Sequence, residues 1–105
     1  MADQLYFDIK YSGGAITAVA EGTLNFFTSP ELKKKLMAWI EPGVRSITID
    51  LKNLPQIDSA GIAALIQASK TCAERELNFH ILNAPASVKT IFAKSGLANL
   101  LSGEA

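Results

Sequence analysis

Apolar and polar residues alternate in two short stretches of this chain. One covers residues 5–10 and the other residues 46–51, and in each stretch every second residue is apolar. A period of two predicts a β-strand with one face buried. The pair Gly13-Gly14 follows the first stretch, and two adjacent glycines supply the positive φ angles of a tight hairpin. Residues 15–20 are therefore predicted to return antiparallel to the first strand.

A loop at residues 21–27 is predicted to lead into the first helix. Either Ser29, followed by Pro30 at the first helical position, or Thr28, in a capping box with Glu31, can cap this helix. An apolar repeat of about 3.6 residues predicts the helix itself and two later ones. After the strand at residues 46–51, the predicted elements are a helix from residue 59, a strand at 79–82, a helix at 84–94 and a short helical or extended piece at 97–101.

The order of these elements predicts one small α/β domain. A strand, a helix and a second strand imply a parallel crossover, whereas the glycine hairpin is antiparallel, so the sheet is mixed. Because several strands alternate, helices are expected to cover mainly one face. The chain has 105 residues, of which 49% are hydrophobic, enough for one core but not for a second domain. We predict a single domain over residues 1–105 with a mixed four- to five-stranded sheet.

The charges of the side chains cancel. Ten basic and ten acidic side chains give a formal net charge of +0, so we expect no direct nucleic-acid partner. The N-terminus lacks the pattern of a secretory signal, and no apolar run approaches the ~20 residues that span a bilayer. Cys72 is the single cysteine and is expected to be a buried helix thiol. We therefore expect a cytoplasmic protein without membrane insertion.

Residues that build catalytic and metal sites are sparse. His80, the single histidine, lies in a predicted strand, where a packed or surface imidazole is expected rather than a ligand or base. A serine-hydrolase elbow around Ser59 is broken because Ile57 stands at its first glycine position, and no glycine-rich nucleotide loop is present. We expect no metal, no cofactor and no enzymatic activity. Ser59 as a nucleophile stays a third hypothesis.

One hydroxyl stands where a predicted strand gives way to a helix. Ser59 follows Asp58 and precedes Ala60-Gly61. Serine, aspartate and glycine satisfy free N–H groups at a helix start, and the same place accommodates a phosphate. Ser59 is therefore either a helix cap or a modification site. A phosphoryl group there would add about −1.5 to −2 charges, which would repel acidic groups of a partner and impose a desolvation cost where apolar groups approach.

This turn resembles the Asp-Ser-(Ser/Thr/Ala)-Gly turn of the STAS domain in bacterial anti-sigma factor antagonists. The resemblance covers nearly the whole chain, and it implies the α/β architecture with a mixed sheet predicted above. Its other pieces are residues 22–25, 29–32, 46–51 and 88–97.

The resemblance implies a phosphorylation switch. In that family, an anti-sigma factor that is a Ser/Thr kinase phosphorylates the serine after the Asp. The unmodified form binds the anti-sigma factor and frees the sigma factor, and a phosphatase resets the switch. Asn25 stands where many members carry an acidic residue. The implied phosphorylation site is Ser59, and the implied partner-binding residues are Asn25, Asp58, Ser59, Ala60, Gly61 and Ile62.

Two alternatives stay open. The chain is also compatible with a STAS subunit that is not phosphorylated and docks on a transporter ATPase or another regulatory complex. Phe26 and Phe27 lie side by side in the predicted loop, where they form part of an interface or cover the edge of the core.

Overall fold

The alternating stretches of the sequence form neighbouring strands of one sheet. The computed structural model describes residues 3–102. Its elements are β1 (Leu5–Ser12), β2 (Ala15–Leu24), α1 (Ser29–Trp39), β3 (Ser46–Ile57), α2 (Ser59–Glu74), β4 (Asn78–Leu82), α3 (Ala86–Lys94), a 3-10 turn (Ala98–Leu100) and β5 (Leu101–Ser102). The strands lie in the order β1-β2-β3-β4-β5. Only β1 and β2 pair antiparallel, whereas the other neighbouring strands are parallel, so the predicted mixed α/β sheet is confirmed.

The hairpin between β1 and β2 turns at the two glycines. Gly13 and Gly14 have φ angles of 57° and 87°, the left-handed conformation that the sequence predicts. Across the hairpin Phe7 pairs with Ala20 and Tyr11 with Ile16. This register places the apolar residues of β1 on the same face as the buried residues of β2.

The helices pack against one face of the sheet. In β2 up to Ala20, at the start of β3 and in β4, every second residue is buried there, whereas intervening residues such as Thr17 and Thr48 are half-buried. Burying each large aliphatic or aromatic side chain of this core stabilises the fold by about 1.5–3 kcal/mol. The core includes Ile16, Ala20, Ile47, Ile49, Phe79 and Ile81 from the sheet and Leu32, Leu36, Ile62, Leu65, Cys72, Val88 and Phe92 from the helices.

Strands β2 and β3 are longer than predicted. The loop predicted at residues 21–27 is wrong in its first part, because β2 continues to Leu24. Two shifts of register between Val19 and Thr23 mark bulges, which interrupt the alternation by which a strand is recognised. β3 continues to Ile57, which pairs with Leu24. The extra length of both strands leads directly to the turn that contains Ser59.

The remaining differences are small and local. Ile9 of the edge strand β1 is 40% exposed rather than buried, while Phe7 packs edge-on against Trp39 with ring centroids 5.1 Å apart. α3 begins at Ala86 instead of residue 84, because the extended Pro85 is its N-cap. The C-terminal piece is both helical and extended, since the 3-10 turn runs into β5.

Candidate functional site

Asp58, and not Ser59, caps α2. Asp58 has extended backbone angles, and its Oδ1 accepts a hydrogen bond from the N–H of Gly61 at 2.8 Å. Its carbonyl accepts the first helical hydrogen bond, from Ile62 at 3.0 Å. Ser59 is therefore the first helical residue. The sequence allows Ser59 to be a helix cap or a modification site. Because Asp58 is the cap, the first of these two roles is wrong for Ser59.

The hydroxyl of Ser59 is free. The side chain is exposed, and the hydroxyl forms no hydrogen bond with any residue between 3 and 102. The first N–H groups of a helix lack partners inside the helix, and the helix dipole places partial positive charge there. An anion attached to the Ser59 oxygen would therefore lie at an end of the helix that stabilises negative charge.

Gly61 lets α2 approach the end of β2 closely. A Cβ atom at Gly61 would overlap the carbonyl oxygen of Leu24 and lie 2.9 Å from its carbonyl carbon. The same carbonyl accepts a hydrogen bond from the N–H of Asp58 at 3.2 Å. Glycine is thus required here by a close backbone contact and not by a positive φ angle. The contact fixes where Ser59 stands relative to the β2–α1 loop.

The loop between β2 and α1 is ordered by two of its side chains. Asn25 Oδ1 accepts hydrogen bonds from the N–H groups of Phe27 and Thr28, at 2.9 and 3.0 Å. The hydroxyl of Thr28 accepts from the N–H of Asn25 at 2.9 Å and donates to the carbonyl of Thr23 at 2.8 Å. Thr28 is the N-cap residue of α1, but its hydroxyl faces the loop. The predicted capping box with Glu31 is therefore wrong, as is the assignment of Ser29 as the cap.

The loop and the turn share the carboxylate of Asp58. While Oδ1 caps α2, Oδ2 accepts a hydrogen bond from the N–H of Phe26 at 3.2 Å. The structure thus brings Asn25 and its loop beside the 58–62 turn. Within the turn Ala60 is half-buried, whereas Gly61 and Ile62 are buried. The side chains of Asp58 and Ser59 supply its exposed surface.

Asp3 is a part of this site that the sequence pattern did not indicate. Its Oδ2 accepts a hydrogen bond from Asn25 Nδ2 at 2.6 Å. A carboxylate therefore stands beside Asn25, although Asn25 itself carries no charge. Asp3 precedes β1 and Asn25 follows β2, so the two residues meet only when these strands pair. No local sequence pattern therefore indicates the contact.

Phe26 and Phe27 project from the same loop. Their side chains are 67% and 78% exposed, and their rings meet edge-on with centroids 5.5 Å apart. The loop residues therefore do not cover the edge of the core. In the sequence, the signal for an exposed aromatic surface is that Phe26 and Phe27 stand between the polar residues Asn25 and Thr28.

The other chemically notable side chains lie outside the 58–62 turn and the β2–α1 loop. Cys72 is fully buried, as predicted, and burial raises the pKa of its thiol to about 11. The half-buried His80 lies in β4, where no described residue bonds its buried Nδ1. Asp50 is buried in β3 and accepts hydrogen bonds from Lys52 N–H and Asn83 Nδ2, each at 2.9 Å. Within residues 3–102, the helices are too short or too polar to cross a membrane.

Comparison with known proteins agrees with this geometry. A family model described as STAS domain matches residues 6–104. The anti-sigma-B factor antagonist of Staphylococcus aureus (strain NCTC 8325 / PS 47) is 28% identical over 80 residues, covering 76% of this chain and 74% of that protein. The structure of the Bacillus cell fate determinant SpoIIAA in the phosphorylated form is similar with a TM-score of 0.78 at 17% identity, covering 94% of this chain and 91% of that one.

A second solved structure shares the fold. An anti-sigma factor antagonist from Mycobacterium paratuberculosis has a TM-score of 0.77 at 16% identity, covering 96% of this chain and 87% of that one. The family model spans nearly the whole length, and the strand order and helices described above are the fold that these structures share. The chain therefore belongs to the STAS domain family.

Proposed function

We propose that this chain is an anti-sigma factor antagonist whose binding to an anti-sigma factor is switched by phosphorylation of Ser59. The observation that carries the proposal is the free, exposed hydroxyl at the start of α2, beside a cap supplied by Asp58. The named function of the staphylococcal relative and the phosphorylated state of the Bacillus fold neighbour support it.

The anti-sigma factor is proposed to be a Ser/Thr kinase that modifies Ser59, and a Ser/Thr phosphatase to reverse the reaction. Transfer of the γ-phosphoryl group of ATP to the Ser59 oxygen forms a phosphate ester and releases ADP and the hydroxyl proton. The helix N-terminus accommodates the new charge, so the fold is retained. Because the kinase requires ATP, we expect the pair to act in the cytoplasm.

Modification would weaken binding for two electrostatic reasons. A phosphoryl group of about −1.5 to −2 charges would stand next to the carboxylate of Asp58, so the surface of the turn would become strongly anionic. A partner surface that contacts the turn would then have to desolvate these charges or oppose them with its own acidic groups. The unmodified hydroxyl imposes neither cost.

The test uses each purified anti-sigma factor kinase of the source organism, with ATP. We expect one phosphate per chain, mapped to Ser59 by peptide mass spectrometry, and no phosphate on Ser59→Ala. Without ATP, Ser59→Ala should bind like the wild type, and Ser59→Asp should bind at least about 10-fold more weakly, a change of roughly 1.4 kcal/mol.

Ser87→Asp is the matched control, because Ser87 is also an exposed serine in the first turn of a helix, α3. It adds the same charge at the start of a different helix and should bind like the wild type. A phosphate found only on other residues, or full binding by Ser59→Asp, would contradict the switch and favour a subunit that docks without modification.

A further inference from the structure

We infer that Phe26 and Phe27 are the apolar anchor by which this chain docks on the anti-sigma factor, an inference that rests on the function proposed above. These are the two most exposed large hydrophobic side chains within residues 3–102. Large aromatic side chains placed in solvent are unfavourable unless a partner covers them, and buried aromatic anchors supply much of the affinity of protein interfaces.

The aromatic pair is held ready for binding. Asn25 Oδ1 fixes the backbone of Phe27, Asp58 Oδ2 fixes that of Phe26, and Ser29 Oγ donates to the Phe26 carbonyl at 3.2 Å. The edge-on contact of the two rings restricts their side chains further. An anchor ordered before binding loses less conformational entropy on docking.

The pair also adjoins the phosphorylation site. The carboxylate of Asp58 bonds the backbone of Phe26 through one oxygen and caps the helix that begins with Ser59 through the other. Because this bond holds the loop beside the turn, the inferred contact surface includes both the rings and the Ser59 turn. This continuity assigns the rings to the partner that Ser59 controls and not to an unrelated one.

The chemistry of the switch defines the partner's surface. A recess rimmed by lysine or arginine side chains would bind the phosphorylated chain more tightly, which is the opposite of the proposed switch. The anti-sigma factor is therefore expected to present an apolar recess wide enough for two rings, with no lysine or arginine side chain facing the Ser59 oxygen. Phosphorylation of Ser59 then opposes docking by adding charge at the edge of an apolar contact.

The experiment measures the affinity of Phe26→Ala, Phe27→Ala and Tyr11→Ala for the purified anti-sigma factor kinase by isothermal titration calorimetry. Tyr11 is the matched control, since it is 62% exposed and pairs with Ile16 at the end of β2 remote from Leu24. We expect each Phe variant to bind at least about 10-fold more weakly and Tyr11→Ala to bind within about 2-fold of the wild type. Because all three side chains are exposed, melting temperatures should stay close to that of the wild type.

The outcomes separate the anchor from the switch. Wild-type affinity of both Phe variants, together with weak binding of Ser59→Asp, would overturn the anchor and leave the proposed function standing. Failure of the kinase to bind the wild type, or equal binding of Ser59→Asp, would overturn the proposed function and the anchor with it. A wild-type dimer that Phe27→Ala converts to a monomer with unchanged kinase affinity would identify a second copy as the occupant and also overturn the anchor.

Discussion

Replacing Gly61 with alanine tests how closely the first turn of α2 approaches the end of β2. The new Cβ would overlap the carbonyl oxygen of Leu24 and lie 2.9 Å from both its carbonyl carbon and its Cγ. The Leu24 side chain can rotate away, but its backbone cannot, since its carbonyl is bonded to Asp58 and Leu24 pairs with Ile57. The helix or the strand end therefore has to shift.

The expected loss of stability follows from two opposing effects. Within a helix, alanine is favoured over glycine by roughly 0.5–1 kcal/mol, so Gly61→Ala would be stabilising if space were available. Forcing an extra carbon into a packed region costs typically about 1–3 kcal/mol, and more when backbone must move. We expect the overlap to win, with a net loss of about 2 kcal/mol and a fall in melting temperature on the order of 10 °C for a domain of this size.

Urea unfolding followed by circular dichroism measures this difference in the free energy of unfolding. The control is Ala63→Gly, an exposed position in the same helix, where only helix propensity acts and the loss should be about 0.5–1 kcal/mol. The reasoning is refuted if Gly61→Ala is as stable as the wild type or more stable. That result would mean that β2 and α2 do not meet as closely as their geometry indicates.

Three further predictions concern the cap and the buried thiol. Asp58→Ala should lower the free energy of unfolding by about 1 kcal/mol, whereas Ser59→Ala should change it by less than about 0.5 kcal/mol. Urea unfolding measures both values, and equal losses would contradict the assignment of Asp58 as the cap. Since burial raises the pKa of the Cys72 thiol to about 11, Ellman's reagent at pH 8 should label the folded chain far more slowly than the chain in guanidinium, and rapid labelling of the folded chain would contradict this. The folded chain holds the Cys72 thiol proton more tightly than the unfolded chain does. The thiol's contribution to stability is therefore present below pH 9 and is lost as the pH rises to about 11. Thermal melts of the wild type and of Cys72→Ala over this pH range measure the loss.

Local sequence patterns predict most of the elements of this fold. The alternation at residues 46–51, the glycine hairpin and the apolar repeat of about 3.6 residues in the helices each depend on neighbours in sequence, and each is found in the structure. The end of β2 was missed because its bulges break the alternation. The second of these shifts spans Gly22, whose φ of 101° lies in the region that favours glycine.

The choice of cap shows a second limit of sequence patterns. Asp58 and Ser59 are both good N-cap residues, so their identities alone do not decide which one caps α2. The decision follows from backbone angles, since Asp58 is extended and Ser59 is already helical. At α1 the hydroxyl of Thr28 bonds the loop, where Asn25 and Thr23 offer it partners that the pattern of a capping box does not include.

The contacts that assemble the site join residues far apart in sequence. The bonds of Asp3 with Asn25 and of Phe26 with Asp58 bridge 22 and 32 residues, so no local pattern reveals them. The sequence names the 58–62 turn and Asn25 as candidates, and the structure places them side by side, whereas the exposure of Phe26 and Phe27 is visible only in the structure. The path of the loop after Leu24 decides whether these rings face the core or the solvent.

The division of tasks between Asp58 and Ser59 has a consequence for regulation. If the serine hydroxyl were the helix cap, attaching a phosphoryl group would also alter the hydrogen bond that starts α2, so modification and stability would be linked. Because Asp58 caps the helix and Ser59 Oγ bonds no residue between 3 and 102, phosphorylation would change the charge of the surface while the turn persists. The backbone of Phe26 would then keep its bond to Asp58 after the proposed phosphorylation, so that the switch would act on the partner's approach and not on the fold of this chain.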